Sequence, residues 1–128
     1  MGLALGTWLL GSVVAAAVPL EVQTFPGGRF VTGGVGTEER AQMEQLRPQF
    51  NLRILTARRM TGEFLAGAQV SVIRGGATIL QAVMTGPLML VHLPPGSYRV
   101  VVAVDGKAIE RTVSIGPGER RELYLYWG

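Results

Sequence analysis

A chain of 128 residues has room for one domain with a sizeable core, and a hydrophobic content of 48% rules out an intrinsically disordered chain. Only 7% of the residues are aromatic and 16% charged, while 18 are glycine and 7 proline, a balance that suits short strands joined by turns better than helices. The net charge is +3, but the twelve basic residues, all Arg except Lys107, are spread mostly singly between apolar residues, which is a poor footprint for nucleic acid. No nucleic-acid partner is expected. The doublets Arg58-Arg59 and Arg120-Arg121 read as solvated strand ends, the second flanked by Glu119 and Glu122. With no cysteine there is no disulfide framework and no thiolate metal site, so the compartment has to be read from the N-terminus.

From Met1 to Leu20 no side chain is charged, and the apolar or small run Leu3 to Val14 ends in Ala15-Ala16-Ala17. This is the pattern of a signal peptide over 1–17, with small side chains at Ala15 and Ala17 for the peptidase to clasp and Pro19 just beyond. Export to the periplasm or the medium of a bacterium follows. The departure from the pattern is an n-region without Lys or Arg. The alternative is an uncleaved anchor, since twenty uncharged residues reach the roughly 17 to 25 that span a bilayer. Membrane contact is expected only in that case.

Residues 18–36 contain Pro26, Gly27, Gly28, Gly33, Gly34 and Gly36 and read as a flexible segment, with a short extended piece at Arg29 to Thr32 at most. Gly33 to Gly36 precede a helix start as phosphate loops do, but Glu38 and Glu39 would repel a phosphate and no Lys-Ser/Thr follows. Thr37 is the expected N-cap of a short helix over 37–48, closed by Pro48.

Residues 49–128 alternate apolar and polar side chains, with turn residues every eight to twelve positions, the spacing of an all-β sandwich with about seven strands. Phe50, Leu52 and Ile54 share one face, as do Ala68, Val70 and Val72 after Leu65. Leu88 and Leu90 are in phase but Leu93 is not, so a bulge near Val91-His92 is predicted if all three are buried. Pro94-Pro95-Gly96 reads as a type II turn and Asp105-Gly106 as a hairpin tip. In the last strand Glu122, Tyr124 and Tyr126 alternate with Leu123, Leu125 and Trp127.

The run Gly62-Glu63-Phe64-Leu65-Ala66-Gly67-Ala68-Gln69-Val70-Ser71-Val72 precedes Gly86 with Leu88 and Leu90, then Leu93-Pro94-Pro95-Gly96-Ser97-Tyr98-Arg99-Val100. Together they resemble the carboxypeptidase regulatory-like domains, and the likeness covers roughly residues 50 to 127. It implies a seven-stranded transthyretin-like (prealbumin-like) sandwich and a non-catalytic role as partner or support of other proteins. The stretch Phe30 to Gly36 ahead of a Glu-rich helix is similar to the start of small exported bacterial proteins that carry this domain. A related branch hydrolyses 5-hydroxyisourate with several histidines and a tyrosine-arginine-glycine-serine ending. This chain has one histidine and ends Tyr124-Leu125-Tyr126-Trp127-Gly128.

Chemistry is sparse in the residues themselves. His92 alone cannot assemble a zinc site, which takes three or four ligands, and reads as a strand-rim residue. Ser71, Ser97 and Ser114 sit in no nucleophile elbow, and Asp105 and Glu110 could approach each other across their hairpin. No cofactor and no metal are expected. The binding candidates are Tyr124 and Tyr126, an outward aromatic ladder able to stack on a peptide or sugar, together with His92. These readings point to a non-catalytic envelope interaction module that takes a protein or glycan partner and could self-associate. The alternatives are a small transthyretin-like hydrolase and an N-terminally anchored structural subunit. Intact mass of the exported protein checks the first step: a chain beginning at Val18 is expected, and a retained leader would establish the anchor.

Overall fold

The computed structural model describes residues 20–128, so the expected leader over 1–17 and its cleavage site lie outside the described residues. The elements in chain order are β1 Gln23–Phe25, β2 Gly28–Gly33, α1 Gly36–Leu46, a 3-10 turn Arg47–Gln49, β3 Leu52–Arg58 and β4 Gln69–Arg74. There follow β5 Ala77–Val83, β6 Leu88–His92, β7 Gly96–Val104, β8 Lys107–Ile115 and β9 Arg121–Trp127. They form two sheets, a five-stranded one in the order β9-β3-β6-β2-β1 and a four-stranded one in the order β5-β4-β7-β8. The protein is an all-β sandwich with one short helix. β9 runs parallel to β3, and the other ladders are antiparallel.

Seven of these strands come from residues 49–128, and two more come from the segment expected to be flexible. The correction has a physical cause. Pro26-Gly27 turn the chain into a hairpin, with Gly27 at φ 100°, and β2 then pairs with β6 from Arg29↔His92 to Gly33↔Leu88. Gly28 is glycine because a Cβ there would lie 2.2 Å from the His92 carbonyl oxygen. Phe30 and Val31 are both buried, on opposite faces of the sheet.

The helix begins a residue earlier than expected, and Thr37 is not its cap. Val35 holds the cap position without a side-chain bond. Instead Glu39 reaches back and its Oε1 accepts the N–H groups of Gly34 at 3.1 Å and Val35 at 3.0 Å. That engagement places the Glu39 carboxylate beside the glycine run.

β6 is buried on both faces. Met89 and Val91, followed by Leu93, point into the main core with Leu52, Ile54, Val70, Val72, Val100 and Leu125. Leu88 and Leu90 point the other way, into a second cluster with Val31, Met43 and Phe50 under α1. The predicted bulge near Val91-His92 is therefore absent: β6 keeps an unbroken register with both neighbours, and the three leucines are buried on two sides instead of one. A sheet face covered by a helix no longer needs polar alternation.

Three further expectations concern turns and inward faces. Asp105 at φ 51° and Gly106 at φ 78° close the β7–β8 hairpin as predicted. Ala68, Val70 and Val72 are fully buried, with Leu65 partly so. Pro94-Pro95 is an open bend, not a type II turn, because Gly96 is already in β7 opposite Ile115. The bend is held instead by buried Tyr98, whose hydroxyl donates to the Pro94 carbonyl, and by Arg74, whose Nη1 donates to that hydroxyl at 3.2 Å.

Since Met89 and Leu90 are both buried, at 0% and 2% exposure, Met89→Ala and Leu90→Ala are each expected to cost about 2–5 kcal/mol in urea unfolding. A neutral Leu90→Ala would mean that the outer face is solvated and the helix is not seated there.

Candidate functional site

β9 is the last strand of its sheet, and its period-two pattern divides it cleanly. Leu125 and Trp127 are buried and Leu123 is partly buried, whereas Tyr124 and Tyr126 are 48% and 40% exposed. The outward aromatic ladder of the sequence is present. Its surroundings follow from the registers, because residues paired across a ladder project on the same face.

In the parallel ladder Tyr124 lies beside Leu55 and Tyr126 beside Ala57. On the other side of β3, Leu55 pairs with Leu88 and Ala57 pairs with Phe64. Two rows result, Tyr124–Leu55–Leu88 and Tyr126–Ala57–Phe64. In the second row the buried Ala57 lies between two exposed rings, Tyr126 and the 49% exposed Phe64. The Phe64 segment is sewn to β3: Leu65 N–H donates to the Thr56 carbonyl at 3.0 Å and Arg58 N–H to the Glu63 carbonyl at 2.8 Å. Buried Thr56 adds a bond from Oγ1 to the Leu65 carbonyl at 2.8 Å.

Charged groups border these two rows. The Arg40 guanidinium from α1 lies 5.9 Å from the Phe64 ring centroid, within cation–π range. At the other end Tyr124 donates its hydroxyl proton to Glu122 and accepts a bond from Arg53 Nη1 at 3.4 Å. Glu122 also pairs with Arg47, and Arg53 approaches it at 4.0 Å. This network holds the Tyr124 ring in place. Tyr126 carries no side-chain hydrogen bond among the described residues.

His92 is not part of this surface. It is the last residue of β6, beside the start of β3, whereas Tyr126 lies beside the far end of β3 at Ala57. Six residues of strand separate those ends, about 20 Å. The rim position expected of His92 is observed, but the histidine also lines a shallow polar cleft of ≈ 240 Å³ with Gln49, Asn51, Glu119 and Arg120. The polar groups there already brace the fold. The Asn51 side chain donates to the Leu93 carbonyl at 2.7 Å and accepts the Leu93 N–H at 2.9 Å, extending the β3–β6 ladder past its end. Glu119 accepts the Gly116 N–H at 2.8 Å and pairs with Arg121 at 2.9 Å.

The other chemical candidates do not converge. Glu110 lies opposite Val101 and pairs with Arg99 at 3.1 Å, while Asp105 stays in the turn, so the two acids are not a pair. Ser97 and Ser114 face each other in the sheet that does not contain His92, and Ser71 lies within that same sheet. No group of three or more His, Cys, Asp or Glu side chains suited to a metal is present among the described residues. The scattering of arginines along the chain does not hold in space: Arg47, Arg53, Arg120 and Arg121 surround one small cavity with Glu122. Each is already engaged there, Arg120 with the Pro48 carbonyl at 3.2 Å and Arg121 with Glu119.

Phe64 is the surface residue that the sequence reading passed over. The signal was available, since placing Leu65 inward places Phe64 outward by period two. What was not available was the bridge that sets Phe64 beside Ala57, because it joins a loop to a strand. No protein-family model matches the chain, and no curated protein matches it.

The bracing role of the cleft is measurable. Asn51→Ala is expected to cost about 1–3 kcal/mol in chemical unfolding, because it leaves both polar groups of Leu93 unpaired. His92→Ala is expected to stay within about 0.5 kcal/mol. The reverse order would make His92 the structural residue.

Proposed function

We propose that the chain is a non-catalytic interaction module of the bacterial envelope, built on a transthyretin-like sandwich, that binds a protein partner through the outer face of β9 and β3. The observation that supports this is the pair of exposed tyrosines on an ordered strand, flanked by partly buried Leu55 and, across buried Ala57, by exposed Phe64. Tyrosine, phenylalanine and arginine in such a patch, with charge confined to its border, is the composition of a protein interface. Rigid aromatic anchors lose little conformational entropy on binding. A glycan site also uses aromatic platforms, but it needs several free polar groups beside them. Here the Tyr124 hydroxyl is already committed to Glu122 and Arg53.

Export supplies the compartment in this reading, through the Ala15-Ala16-Ala17 motif. Among the described residues no helix is long and apolar enough to cross a membrane. A hydrolytic reading draws its one support from the polar cleft at His92. Against it, Asn51 and Glu119 spend their hydrogen bonds on the loops that form the cleft.

The test is a photo-crosslinking amino acid placed at position 126 or, as a control, at Thr112 on the opposite sheet, in cells that export the protein. A discrete adduct at 126 with a protein other than this chain, absent at 112 and lost with Phe64→Ser, is expected. Equal labelling at both positions would contradict a binding face. Loss of polysaccharide retention in Tyr124→Ser/Tyr126→Ser, with no protein adduct, would move the partner class to glycans.

A further inference from the structure

Four strands end the two sheets, and an unpaired strand edge is a template for another chain unless something blunts it. Three of the four are blunted. β1 is three residues long. β5 carries a bulge: Val72 pairs with Leu80 but Ile73 with Thr78, so Ile79 is left over and the edge twists away. β8 bears Lys107, Glu110 and Arg111. β9 carries charge only at its start, at Arg121 and Glu122. It is seven residues long, its register with β3 is unbroken, and residues 123–127 carry no charge.

The hydrogen-bond parity of β9 is set by its ends. Arg121 N–H donates to the Asn51 carbonyl at 2.9 Å, and Arg59 N–H donates to the Trp127 carbonyl at 2.7 Å. In a parallel ladder one alternate set of residues gives both its N–H and its C=O to the neighbour. Here that set is Arg121, Leu123, Leu125 and Trp127. The N–H and C=O groups of Glu122, Tyr124 and Tyr126 therefore point away from β3, and among the described residues no strand pairs with them.

We propose that this edge is the interface between two copies of this chain, joined as an antiparallel ladder about a two-fold axis at Tyr124. A two-fold axis makes identical edges antiparallel. Centred on Tyr124, every outward N–H and C=O of Glu122, Tyr124 and Tyr126 in each copy is paired. On the outer face Tyr124 meets Tyr124 of the second copy, and Glu122 meets the tyrosine at 126. On the inner face Leu123 meets Leu125, and Arg121 meets the ring of Trp127. No like charges face each other. Centring on Glu122 would oppose two carboxylates, and a shift of one pairing step either way carries Glu122 or Tyr126 beyond the end of the partner strand. Charge and hydrogen-bond count thus select one register, and the dimer joins the two five-stranded sheets, with both pairs of tyrosines at the centre of one face. The inference stands apart from the binding face proposed above, which has its own test.

The chain contains no cysteine, so introduced ones report the register without interference. Residues paired through hydrogen bonds in an antiparallel ladder have Cα atoms about 5.5 Å apart, within the roughly 4.4–6.8 Å that a disulfide spans. Under mild oxidation Tyr124→Cys is expected to form a covalent dimer. Glu122→Cys and Tyr126→Cys are each expected to form no disulfide alone and to crosslink when mixed. In light scattering the unmodified chain is expected to have the mass of a dimer. Tyr126→Glu should weaken association and Tyr126→Lys should tighten it, each by about two- to fivefold, through the facing Glu122. A strict monomer at about millimolar concentration, crosslinking of Glu122→Cys with itself, or a shift of the two position-126 variants in the same direction would each overturn the proposal.

Discussion

The parallel ladder between β9 and β3 sets the parity of everything that β9 presents. With Arg121 beside Leu52 and Trp127 beside Arg58, the residues committed to the ladder are also the ones that face the core, and the tyrosines take the outer face together with the open backbone edge. A slip by one residue would expose Leu125 and Trp127 and bury Tyr124 and Tyr126. The register resists such a slip at both ends. Asn51 ties the start of β3 to Leu93 and to Arg121, and buried Trp127 donates its Nε1 proton to the Lys107 carbonyl of β8 at 2.8 Å.

The same ladder depends on what lies beneath it. β3 is held on its other side by β6, which is packed between the two apolar clusters, so the middle of the five-stranded sheet has little room to shift. A rigid interior of this kind holds the exposed Tyr126 and Phe64 in place on either side of buried Ala57 without a ligand. The alanine matters as much as the rings, since Ala57 is 2% exposed and a larger side chain there would displace its neighbours.

Much of this was legible in the sequence because period-two alternation directly reports which side of a strand meets the core. Ala68-x-Val70-x-Val72 and the outward tyrosines follow from it, and the Asp105-Gly106 hairpin follows from turn chemistry. It failed where both faces of a strand are covered. Leu88, Leu90 and Leu93 suggested a bulge only because a solvated outer face was assumed, and the missing helix–sheet cluster needs Met43 and Val31, distant in sequence, to be seen. It failed also at Gly28 and Gly33, where glycine marks close approach of β2 to its neighbours and not flexibility. The arginines around Glu122 and the bridge from Ala57 to Phe64 are products of the three-dimensional arrangement, and no local pattern announces them.

The most direct measurement is amide hydrogen exchange along β9, residue by residue, at low and high protein concentration. Slow exchange is expected for Leu123, Leu125 and Trp127 at every concentration, and exchange at Tyr124 and Tyr126 that is fast when dilute and slows on concentration. Uniform protection along the strand, or protection of the tyrosine amides that does not depend on concentration, would contradict this expectation.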